Sequence, residues 1–189
     1  MFFGFKEFIG RWLHKASGYN ADSLDGAFDK FVTLYTVFNI LYDEAFSQLV
    51  DSKKVKSGDN GERRKAVTHI AAFLEHDVLK ARLRSHSETL SSIMGLIRDR
   101  KYYFSVKGPQ WHPNFAKDAQ LLRDLQSDDA IRFSEAVLIL EYRVRCNLLH
   151  GLKGYDSEQM QVIVPMTELL EEIINVALSK LGIAADGSC

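Results

Sequence analysis

The stretch DGAFDKFVTLYTVFNILYDEAFSQLV, residues 25 to 50, decides how the rest of the chain reads. Phe28, Phe31, Val32, Tyr35, Phe38, Asn39, Tyr42, Phe46 and Leu49 keep one side apolar for about six or seven helical turns. A pattern that long predicts a buried helix, which in turn needs other helices packed around it. Toward the N-terminus, Phe5, Phe8, Ile9, Trp12 and Leu13 follow at offsets of three and four and predict an amphipathic helix, interrupted by Gly18, Asn20 and Asp22.

Toward the C-terminus, DSKKVKSGDNGERRK, residues 51 to 65, reads as an exposed, net-positive loop with Gly58 and Gly61 as breakers. Helical spacing resumes through Val67, Ile70, Ala71, Leu74, Val78, Leu79 and Leu83, and again through Leu90, Ile93, Met94 and Ile97, with Ser85 and Ser87 as candidate caps between them. KYYFSVKGPQWHPNF, residues 101 to 115, breaks the pattern and predicts a loop with one short strand. A short helix from Ala116 to Gln126 and a longer one from the Ser-Asp-Asp cap at 127 to 129 through His150 follow, ended by Gly151 and Gly154. The last helix begins after Tyr155-Asp156-Ser157 and runs through Ala177, with Pro165 expected to kink or divide it. The sum is a single all-α domain over residues 1 to 189, a bundle of about six or seven helices.

Composition narrows the function classes. Hydrophobic residues at 46% and charged residues at 26% are those of a globular protein and argue against disorder. Lys+Arg 24 against Asp+Glu 25 leaves a formal charge of -1, so any nucleic-acid contact must come from a local patch. Two cysteines, Cys146 and Cys189, are too few for a disulfide framework or a zinc cage. The charged N-terminal segment is unlike a signal peptide and no uncharged run spans a membrane, so the expectation is a cytoplasmic protein without membrane association.

One segment concentrates polar chemistry at the end of an apolar helix: EYRVRCNLLHGLKGY, residues 141 to 155, with Arg143, Arg145, Asn147, His150 and Lys153. At about 100° per residue, Arg143, Asn147 and His150 share one face, whereas Arg145 stands roughly 140° from His150. For Arg145 and His150 to meet at one substrate atom, the helix must distort or a second copy of the chain must supply one of them.

RCNLLHG, with an apolar helix before it and Lys153 after it, resembles the Arg, four to six residues, His signature of HEPN domains. Phe38, Asn39 and Tyr42 resemble the aromatic-Asn-x-aromatic pattern of an early HEPN helix. The resemblance implies a HEPN-like helical bundle and a metal-independent ribonuclease. It also implies a homodimer with one composite cleft, a place in toxin–antitoxin or anti-phage systems, and an antitoxin or other regulatory protein as partner. Residue by residue it makes Arg145 and His150 catalytic with Asn147 between them. Cys146 stands where many active members carry a polar residue. Arg143 satisfies the six-residue spacing, so the choice between Arg143 and Arg145 stays open, with Lys153 a further phosphate-binding candidate.

The chemistry fits the residue types. Cutting RNA without a metal or other cofactor needs a base for the 2′-OH and a cation for the charge developing on the phosphate, and His and Arg supply these. The competing reading is structural, with Arg145 pairing with Glu141 one turn earlier and His150 balancing the helix C-terminus. Another is a non-catalytic module that binds nucleotide, RNA or a partner protein in the same cleft. Candidate RNA contacts elsewhere are Lys53, Lys54, Arg63 and Arg64 in the basic loop. Arg100, Lys101 and Tyr102 join them in the cation-aromatic segment that also contains Trp111.

Overall fold

In the computed structural model, which describes residues 4–108, 110–149 and 156–183, the residue 25 to 50 pattern becomes the central helix. Helix α2 (Leu24–Asp51) buries Phe31, Leu34, Val37, Phe38, Leu41 and Ala45 together, each side chain contributing up to about 1.5–3 kcal/mol on removal from water. Its start is fixed by Ser23, whose hydroxyl accepts from the Gly26 amide at 3.1 Å. Gly26 itself is required there, because a Cβ would come within 1.9 Å of the Asn20 carbonyl oxygen.

Helix α1 (Phe5–Ser17) lays Phe5, Ile9 and Ala16 against α2, which settles its apolar side as core packing. After α2, the chain reaches α3 (Glu62–Arg64), one π-helical stretch (Lys65–His69) and α4 (Ile70–Leu74) without interruption. Arg63, Arg64 and Lys65 are therefore helical, and the loop is confined to residues 52 to 61. The expected long helix through Leu83 is broken at Glu75, whose φ of 68° is outside the helical region and separates α4 from α5 (His76–Arg84). Apolar spacing alone carries no signal for that single-residue break.

Helix α6 (Ser87–Arg98) starts without the serine cap expected of Ser85 or Ser87. Its N-cap residue is His86, and the Ser85 hydroxyl donates back to the Arg82 carbonyl at 2.6 Å. The cation-aromatic segment forms a small antiparallel hairpin, β1 (Val106–Lys107) paired with β2 (His112–Pro113). Helix α7 (Phe115–Leu125) is capped by Asn114, and α8 (Ala130–Leu149) by Asp129, whose carboxylate accepts from the Ile131 and Arg132 amides.

A 3-10 turn (Ser157–Gln159), capped by Asp156, leads into α9 (Met160–Lys180). Pro165 does not divide α9, which runs continuously through it. It lies near the start, where its ring removes one bond to the Gln161 carbonyl, and the remaining apolar face holds the helix on α2. Helix α8 packs against α4, α5, α7, α9 and the π-helical stretch, so the fold is the expected all-α bundle with one minor hairpin. Among the described residues no helix is long and apolar enough to cross a membrane.

Gly26→Ala is expected to lower the melting temperature, since the Asn20 carbonyl must move out of contact at a cost of about 1–3 kcal/mol. Thermal denaturation followed by circular dichroism reads this directly. An unchanged melting temperature would mean that the turn before α2 is compliant.

Candidate functional site

The last turns of α8 distribute their polar side chains to opposite sides. Val144 is buried, while Arg143 and Arg145 flank it and are each only partly exposed. Arg145 turns toward α2. Its guanidinium carbon lies 5.8 Å from the Tyr35 ring centre, and its Nη2 makes an ion pair with Glu62 of α3 at 3.2 Å. The same depression, about 60 Å³, is lined by Tyr35, Asn39 and Arg145 among others. Two residues from the early and late resemblance segments thus meet in space.

Arg143 points into a different and larger cleft of about 440 Å³, between α7, α8 and the hairpin. Asn147, also buried, lines that cleft, as do Cys146, Arg63 and Trp111. The expected face shared by Arg143 and Asn147 is therefore present, and Arg145 lies away from it. Arg143 faces Asp118 at 3.8 Å. Asp118 is itself buried and accepts from the Phe104 amide at 3.0 Å and from the Ser105 hydroxyl. Burial lowers the Arg143 pKa from its ordinary value, Asp118 opposes that shift, and the like charge of Arg63 adds to it.

His150 and Lys153 lie outside the described residues, as do Gly151 and Gly154. Of the other candidate contacts, Arg63 alone lines the cleft with Arg143 and Asn147. Lys53 and Lys54 are exposed where α2 ends, and Lys54 lines a separate depression with Arg64, which is tied to Asp59. Arg100 lies over the Phe115 ring at 5.2 Å, and Lys101 is exposed beside it. Tyr102 corrects the expectation of a stacking surface. It is packed in the core against Phe104 at 4.8 Å, with its hydroxyl close to Asn147 and its pKa pushed up to about 12, mainly by burial. Among the described residues no group of three His, Cys, Asp or Glu side chains is placed to hold a metal ion.

No family model matches the chain, and no curated protein or solved structure matches it. The site must be read from its own chemistry.

That chemistry includes a feature the residue types did not announce. Glu141 was the acid one turn from Arg145, yet Arg145 pairs with Glu62. Glu141 is completely buried, and neither carboxyl oxygen has a hydrogen-bond partner among the described residues. Burial pushes its pKa well above the usual carboxylate range, and it lies close enough to Tyr35 to add to the burial that disfavours ionisation of that phenol. Glu62 and Asp118 went unnoticed in the sequence because each sits among many surface-type charges. Only the third dimension separates them from the rest.

The folded state retains a proton on Glu141 at pH values where the unfolded chain has lost it. Unfolding then releases protons, so this group makes stability fall as pH rises above the ordinary carboxylate range. Glu141→Gln is expected to raise the melting temperature relative to the parent, with a difference that grows from about pH 4 to pH 8. A difference independent of pH would show that Glu141 ionises normally in the fold.

Proposed function

We propose that the chain is a HEPN-like, metal-independent endoribonuclease that works as a homodimer with one composite cleft. The observation that carries this reading is the convergence of Asn39 and Arg145 on one depression, because the two segments that resemble HEPN helices lie about a hundred residues apart in the sequence. The Arg145 guanidinium is kept partly desolvated above an aromatic ring, where its forked donors suit a phosphate.

In the proposed reaction His150 removes the proton of a ribose 2′-OH. The 2′-oxygen attacks phosphorus, the bond to the 5′-oxygen breaks, and that oxygen takes up a proton. Arg145 stabilises the charge that builds on the non-bridging oxygens, and Asn147 supports the geometry of the segment. The products are a 2′,3′-cyclic phosphate and a 5′-hydroxyl, and DNA is inert because it lacks the nucleophile. A toxin or anti-phage role, with an antitoxin or similar regulator as partner, follows from the resemblance and belongs to the same proposal.

The ion pair between Arg145 and Glu62 favours a second reading, a non-catalytic module in which the arginine is structural. The pair is partly exposed, and such pairs contribute only about 0.2–1 kcal/mol, so phosphate can displace the carboxylate. Glu62→Gln is therefore expected to strengthen RNA binding by up to about fivefold, measured by anisotropy of labelled single-stranded RNA. Weaker binding in that variant would mean that Glu62 positions Arg145 for RNA.

The deciding experiment is cleavage of single-stranded RNA and tRNA in excess EDTA by the parent protein, Arg145→Ala and His150→Ala, with product ends analysed. Cyclic-phosphate ends, reduced about 100-fold or more in both variants, are expected. Equal cleavage in all three samples would indicate a contaminant, and a dimeric parent that cleaves neither RNA would favour the binding module.

A further inference from the structure

The cleft between α7, α8 and the hairpin contains more positive charge than its own acids neutralise. Arg63 from α3, Arg143 from α8 and Lys117 from α7 all line it. Among the described residues, neither Arg63 nor Lys117 forms an ion pair, and Nη1 of Arg143 is buried without a hydrogen bond. One acid, Asp124, is among the lining side chains, and a second, Asp118, lies beside Arg143 Nη1 at 3.8 Å; both are also engaged elsewhere. Asp118 serves the Phe104 amide and the Ser105 hydroxyl, while Asp124 accepts from Nε and Nη2 of Arg132 at 2.9 and 2.6 Å. Arg63 and Arg143 line the same cleft and their like charges repel, a repulsion that an anion bound there relieves.

An aromatic surface stands beside this charge. Trp111 lines the same cleft from the hairpin tip, and 49% of it is exposed although it is the bulkiest apolar residue of the segment. Its φ of 56° is a left-handed conformation that non-glycine residues seldom adopt. The cleft also adjoins a second depression of about 540 Å³, the two sharing Arg63, Ile139 and Tyr142. Together they form a groove along α8, and the first part alone lies in the size range of small-molecule sites.

We propose that this groove is a recognition subsite for an unpaired nucleotide of single-stranded RNA, with its phosphate between Arg63 and Arg143 and its base stacked on Trp111. The choice of RNA rests on the ribonuclease reading. Guanidinium forks match phosphate oxygens, and a stacked indole accepts any base but requires that it be unpaired. Arg145 faces α2 on another side of α8, so the subsite grips the strand beside the scissile bond. Arg63 and Trp111 consequently govern RNA affinity and KM, and leave kcat with little change.

The test uses the Trp12→Phe protein, in which Trp111 is the sole indole, and a 2′-O-methylated uridine decamer that cannot undergo 2′-OH attack. Saturable quenching of Trp111 fluorescence is expected. By anisotropy of the labelled decamer, Arg63→Gln should bind about tenfold more weakly, with a salt dependence reduced by about one phosphate contact. Trp111→Ala should lose at least about fivefold in affinity while Trp111→Phe retains most of it, and a duplex of the same length should compete poorly. Both substituted side chains are exposed, and circular dichroism checks that the variants fold. Unaltered Trp111 fluorescence at saturating RNA, or parent-like affinity in Arg63→Gln, overturns the subsite. The two readings separate cleanly: cleavage in EDTA with parent-like KM in both variants removes the subsite alone. A saturable Trp111 signal in a protein that cleaves nothing removes the nuclease and leaves the nucleotide subsite.

Discussion

The packing of α2 against α9, with α1 closing over α2, is the constraint on which the rest of the molecule depends. Phe31, Phe38 and Leu41 of α2 and Ile163, Met166 and Ile173 of α9 are all sealed from solvent in the same core. Interiors packed this densely tolerate little displacement, so the lateral position of every helix that touches the pair is fixed by side-chain shape. Helix α8 is held from several sides, by α5 and α7 as well as α9. Its polar end is therefore presented from a rigid support.

That support explains how neighbouring residues of one helix come to have different chemistry. Burial on the α2 side leaves Glu141 without a hydrogen-bond partner among the described residues and places Arg145 above Tyr35, whereas the α7 side opens beside Arg143 and Cys146. An uncompensated carboxyl in a core is a cost to stability, and it is retained one turn from the arginine most directly tied to the proposed chemistry. The π-helical stretch at Lys65–His69 lies against both α2 and α8, and its continuation backward through α3 brings Glu62 to Arg145 and Arg63 to the cleft. Successive residues of a short helix thus serve two different arginines.

Long-range contacts also stitch the periphery to the core. His76 of α5 meets Ser134 of α8 at 2.7 Å, and Glu168 of α9 accepts from His86 and Thr89 around the start of α6, each at 2.7 Å. His69 and His76 lie seven residues apart within the stretch whose apolar spacing predicts one helix. In the fold the Glu75 break puts them on different helices, and His69 instead stacks near Phe46 while facing Asp59. A periodic pattern cannot register a single residue whose backbone leaves the helical region.

The sequence by itself determined the all-α class, the extent of α2 to within a residue at each end, and the capped start of α8, because helical periodicity and caps are local consequences of residue spacing. It also placed Arg143 and Asn147 on one face and Arg145 elsewhere, since three residues on one helix are related by a fixed angle. Tertiary structure alone decided that Arg145 pairs with Glu62 rather than Glu141, that Tyr102 is buried while Trp111 is exposed, and that Arg63 crosses to the cleft of Arg143. Each of those outcomes depends on how distant helices approach one another, and that follows from the filling of a shared core rather than from any local pattern.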